Sequence, residues 1–83
     1  MRTVCSLDIH KDSIFMCILD EQGKKSERKF GVSTREIKEL SATLKSHYVS
    51  EVCMESMGIY WKPVWHLLEN DFRMYRIPLV MGV

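Results

Sequence analysis

The sequence predicts an α/β domain with a mixed sheet, its elements running β-β-β-α-β-α-β. Three observations support that order. Two β-branched and apolar runs and a more polar third, all before Gly31, are divided by turn-forming residues. Ser33 and Glu36 then stand at capping-box spacing ahead of Ile37, Leu40 and Leu44, which recur at helical intervals. Beyond them a short apolar run, an amphipathic stretch and an alternating run follow in turn, as strands joined by a helix do.

Taken in order, Thr3 to Ile9 and Ser13 to Leu19 flank the polar His10-Lys11-Asp12 and read as a hairpin. Asp20-Glu21-Gln22-Gly23 supplies a second turn, and Lys25 to Phe30 reads as a third strand, polar enough for a sheet edge. Val32 and Ile37 fit a hydrophobic staple around the capping box, so a helix is expected from Thr34 to Ser46, with an apolar stripe that covers one sheet face. Val49 to Met54 is expected as an interior strand covered on both faces. Gly58 offers a permissive backbone, Pro63 suits a first helical turn, and Trp61, Val64, Trp65 and Leu68 share a face of a helix ending near Asn70. Phe72 to Ile77 alternates as a fifth strand closed by Pro78.

Eighty-three residues, 46% of them hydrophobic, suffice for a single domain over residues 1–83, near the size where one core gives marginal stability. The net charge of +1 decides nothing about a nucleic-acid partner, so any basic footprint must be local. Lys24, Lys25, Arg28 and Lys29 are the densest candidate, and a solvated hairpin face accounts for them more simply. Cys5, Cys17 and Cys53 sit in apolar runs without Cys-x-x-Cys spacing, which suits buried reduced thiols in a cytoplasmic protein better than a disulfide framework or a zinc site. No signal-peptide pattern or run of membrane-spanning length is present in the sequence, so no membrane partner is expected.

Two acids stand where apolar strands run out: Asp8 after Val4-Cys5-Ser6-Leu7, and Glu55 after Val52-Cys53-Met54. Desolvating a lone carboxylate is costly unless a cation or donors meet it, so the pair fits either a shared cation or two acids facing water. Asp12 reads as a turn acid, and His10, which shares the strand face of Asp8 if the strand extends so far, reads as a turn residue before a ligand. Lys11 is placed to approach a phosphate beside the acids, and a solvated hairpin lysine explains it equally well. Trp61 and Trp65 are expected to pack, as are Met16, Met54, Met57 and Met74, whereas Tyr60, nearest Glu55, is kept as a substrate contact. Lys11, Tyr60 and Lys62 are the candidate nucleic-acid contacts.

The element order resembles the ribonuclease H-like fold. At motif level, Leu7-Asp8-Ile9-His10-Lys11-Asp12-Ser13 with Met54-Glu55-Ser56-Met57-Gly58-Ile59-Tyr60-Trp61-Lys62-Pro63 resembles the N-terminal, RuvC-like domain of IS110-type DEDD transposases and pilin-gene invertases. The resemblance runs from Thr3 to about Ile77, and Glu-Ser-x-Gly-x-Tyr-Trp is its most specific part. It departs at Met57, where a small polar residue is usual, and at Ile77, where asparagine usually precedes the proline.

The resemblance implies a DNA transposase or site-specific recombinase. Asp8 and Glu55 would be its first two catalytic acids, ligands of Mg²⁺ or Mn²⁺ in metal-assisted phosphodiester chemistry. DNA is the implied partner, with a guide RNA in at least some members. The other two acids and a serine-bearing C-terminal domain lie farther along the family's chain. The expectation is therefore a fold incomplete at the C-terminus, half of a site, weak metal affinity and no activity alone. Uncovered apolar surface in such a piece favours a homo-oligomer. The alternative is a non-catalytic remnant that oligomerises or modulates a full-length transposase. A sugar-kinase and actin type of phosphotransfer fold fits less well, because His10 stands where that class wants glycine.

Overall fold

In a computed structural model, which describes residues 2–56 and 58–78, five strands form one sheet in the order β3-β2-β1-β4-β5. The elements run β1 (Val4–Ile9), β2 (Ile14–Leu19), β3 (Lys25–Phe30), α1 (Thr34–Ser46), β4 (Glu51–Ser56), α2 (Trp61–Leu68) and β5 (Arg73–Pro78). The first three strands are antiparallel neighbours, whereas β4 lies parallel to both β1 and β5. The expected element order is found in full, and β3 is an edge as its polarity implies.

Alternation along the strands makes the two faces unlike. Cys5, Leu7 and Ile9 of β1, Ile14, Met16 and Ile18 of β2, and Val52 and Met54 of β4 are buried on one face. Ile37, Leu40 and Leu44 of α1 and Val64 and Leu68 of α2 complete the same core. Both helices therefore cover one face. This corrects the expectation for β4: it is interior in strand order, yet Glu51, Cys53 and Glu55 on its other face are only half-buried among the described residues.

The thiol expectation changes for the same reason. Cys5 is buried in the core, while Cys17 and Cys53 lie on the open face at intermediate exposure. The basic cluster is also divided. Lys25 and Lys29 share the open face, whereas Arg28 turns toward α1, with its guanidinium 4.0 Å from Glu39 and 4.5 Å from the Phe30 ring centroid.

Helix α1 starts where its cap is built. Glu36 N–H donates to Ser33 Oγ at 3.2 Å, and the Glu36 carboxylate reaches back to accept from Gly31 N–H at 3.0 Å. A Cβ at Gly31 would run into that carboxylate. The helix ends on Tyr48 in the left-handed region at φ 56°, after which Val49 N–H donates to the Leu44 carbonyl. Val49 thus closes a helix instead of opening a strand, and β4 runs two residues later than expected. Trp61 and Trp65 pack against the core with ring centroids 5.7 Å apart, edge to face, and Met74 joins them. Met57 lies outside the described residues.

Candidate functional site

The register of β1 and β4 decides where the acids stand. Asp8 is opposite Glu55 in the parallel pair, each the penultimate residue of its strand and both on the open face. Neighbouring strands lie about 4.8 Å apart, so the two carboxylates are direct neighbours at the carboxyl ends of their strands. That end is where parallel sheets expose side chains to ligands. Across the sheet the same row reads Lys29, Phe15, Asp8, Glu55 and Ile77. Ile77, one of the departures from the motif, is thus beside Glu55 and 49% exposed.

Asp8 is half-exposed, with His10 Nε2 3.1 Å from its Oδ2. The His10 ring meets Phe15 edge-on at 6.3 Å, and the Lys29 ammonium stands 5.4 Å from the Phe15 centroid. His10 is a turn residue by its backbone, whose N–H donates to the Ser13 carbonyl at 2.8 Å. The two-residue spacing puts His10 on the strand face of Asp8 if the strand extends so far; β1 ends at Ile9, and the imidazole reaches Asp8 from the turn. Among the described residues no cation pairs with Glu55. Its charge, after burial, raises the pKa of the Cys53 thiol from 9.0.

The donor chemistry fits a hard divalent cation in kind: two adjacent carboxylates, exposed enough to receive it. It does not complete a coordination shell, because no three His, Cys, Asp or Glu side chains gather to hold a metal among the described residues.

Lys11, Tyr60 and Lys62 also come together, though not around the acids. They line a groove of about 340 Å³ with Val32, Ile59 and Pro63. Lys11 comes from the turn after β1, and Ile59 and Tyr60 from the connection after β4, where Gly58 takes φ 70°. The groove and the acid pair therefore share the same end of the sheet. Val32 and Ile59 were not expected there; an apolar residue exposed in a turn, as Ile59 is, was the available signal.

The fold and these residues define an α/β protein with paired acids at the carboxyl end of its central parallel strands. The chain belongs to the IS110-type DEDD transposase family, whose model, described as transposase, matches residues 5–81. No curated protein sequence matches it. Among solved structures it is similar to Pelota from Archaeoglobus fulgidus, with TM-score 0.65, 13% identity, and coverage of 100% of this chain and 28% of that one. The Lmo2764 protein from Listeria monocytogenes gives TM-score 0.61 at 12% identity over 92% of this chain and 35% of that one. The Ppx/GppA phosphatase of Aquifex aeolicus gives 0.51 at 16% identity over 94% and 36%. At such identities the likeness is one of fold, and the chain spans roughly a third of those structures.

Proposed function

We propose that this chain is a ribonuclease H-like, RuvC-like transposase domain in which Asp8 and Glu55 are two carboxylates of a divalent-metal site for phosphodiester chemistry on DNA. The observation that supports it most is the in-register placement of the two acids on adjacent parallel strands. Asp8 and Glu55 would hold Mg²⁺ or Mn²⁺, which supplies Lewis-acid assistance at a phosphodiester when bound. Asp8 additionally keeps His10 at hydrogen-bond distance, and Lys11, Tyr60 and Lys62 approach the DNA at the same end of the sheet. With two carboxylates in the set, the isolated domain binds metal weakly and carries out no recombination alone. Its proposed setting is the cytoplasm, with a guide RNA for the complete recombinase; no helix among the described residues is long and apolar enough to cross a membrane.

Paramagnetic Mn²⁺ titrated into the isotopically labelled chain tests the site. Amide signals of Asp8 and Glu55 should broaden first, and Asp8→Asn with Glu55→Gln should remove the effect. Broadening centred elsewhere sinks the reading. Calorimetry should show affinity weaker than micromolar, and tight binding would contradict the half-site.

The non-catalytic reading, a remnant that associates with a second copy, draws on the open face. There Phe15, Leu19, Tyr75 and Ile77 are 38–50% exposed.

A further inference from the structure

We infer that the groove between the β1–β2 turn and the start of α2 holds one unpaired base of single-stranded DNA, stacked on Tyr60, with Lys11 and Lys62 on the flanking phosphates. This rests on the phosphodiester reading above and names the form of strand that reaches the site.

Four features point to this ligand. The groove, about 340 Å³, is at the small end of the range for ligand pockets, room for a base and not for a duplex. Its walls are apolar yet left open to water: Ile59 is 67% exposed, Val32 40% and Tyr60 44%. Tyr60 is the N-cap of α2 but makes no side-chain capping bond, so its ring is not committed to the helix. Among the described residues neither Lys11 nor Lys62 has an ion-pair partner, and the two come from different elements. Apolar walls, one aromatic face and two unpaired cations suit a base with its phosphates. A base offers its π-face only when it is out of the duplex stack. An acidic peptide would use the lysines but has no need of the ring.

The test is fluorescence anisotropy with labelled oligo-dT, in EDTA so that metal plays no part. Tyr60→Ala should weaken binding about tenfold, while Tyr60→Phe should stay within about twofold. Lys11→Ala and Lys62→Ala should each lower the slope of log affinity against log salt by about 0.7. Thermal melting of Tyr60→Ala should match the parent, since the ring is exposed. Unchanged affinity in Tyr60→Ala, no binding of oligo-dT, equal binding of a duplex or of oligo-rU, or displacement by poly-glutamate would each overturn the assignment. The Asp8→Asn/Glu55→Gln double variant separates the two proposals. Its oligo-dT binding in EDTA should retain the Tyr60 dependence even if Mn²⁺ fails to find the acids. Loss of that dependence overturns the groove alone.

Discussion

Cys5 shows how far one position can differ from its neighbours in chemistry. Burial, followed by the charge of Cys17, raises its thiol pKa from 9.0 to about 12. Cys17 and Cys53 share the other face, so two thiols should take up iodoacetamide in the native protein and the third only on unfolding, as mass spectrometry would count. The same shift sets a pH dependence. Between pH 9.0 and about 12 the unfolded thiol ionises while the native one stays protonated, so the unfolded state binds fewer protons and stability falls as pH rises. The contribution is complete below pH 9.0 and lost by about 12, at about 1.4 kcal/mol per pH unit. Denaturant melts should therefore show the advantage of the parent over Cys5→Ala shrinking across that window. The apolar run around Cys5 was readable as a strand; which of three thiols faces the helices was not, because that depends on register.

At the scale of the element, α1 was legible to its ends because Ser33, Glu36 and the Ile37, Leu40, Leu44 stripe act locally. β4 was not. Its last residues are polar, and only the partners on either side, β1 and β5, provide the ladder that keeps Glu55 and Ser56 extended. Val49, apolar and buried, looked like a strand residue but satisfies the Leu44 carbonyl after the left-handed Tyr48. That Tyr48 is 88% exposed, so its side chain gives little in return for the backbone conformation. Tyr48→Gly should therefore stabilise the domain by about 1 kcal/mol, raising the melting midpoint by about 4–8 °C. Calorimetric melting checks this, and an unchanged or lower midpoint would show that the tyrosine ring stabilises the helix end.

At the scale of the molecule, both helices lie on one face, and among the described residues the other is left open, with a depression of about 390 Å³ between Val4, Cys17, Leu19, Cys53 and Tyr75. A second copy seated on that face would bury Leu19 and Tyr75, and light scattering should then show a dimer or larger species. Leu19→Lys should shift it toward monomer and remove the concentration dependence of the melting midpoint while leaving the monomer's own stability unchanged, because Leu19 is outside the core. A stable monomer at high concentration counts against association. The sequence announced the α/β order, and its motif selected Asp8 and Glu55. It offered Lys11, Tyr60 and Lys62 separately but not the groove they share, which is assembled from segments after β1, β3 and β4 that meet only in the folded chain.

The parallel register of β1 and β4 has one more consequence. Side chains alternate between faces, so a slip of β4 by one residue would send Glu55 into the core and Val52 and Met54 into water. The apolar face therefore proofreads the polar one. Whatever sequence keeps Val52 and Met54 beneath the helices also aligns the carboxylates, and changes that loosen the core should misplace the acids before they unfold the chain.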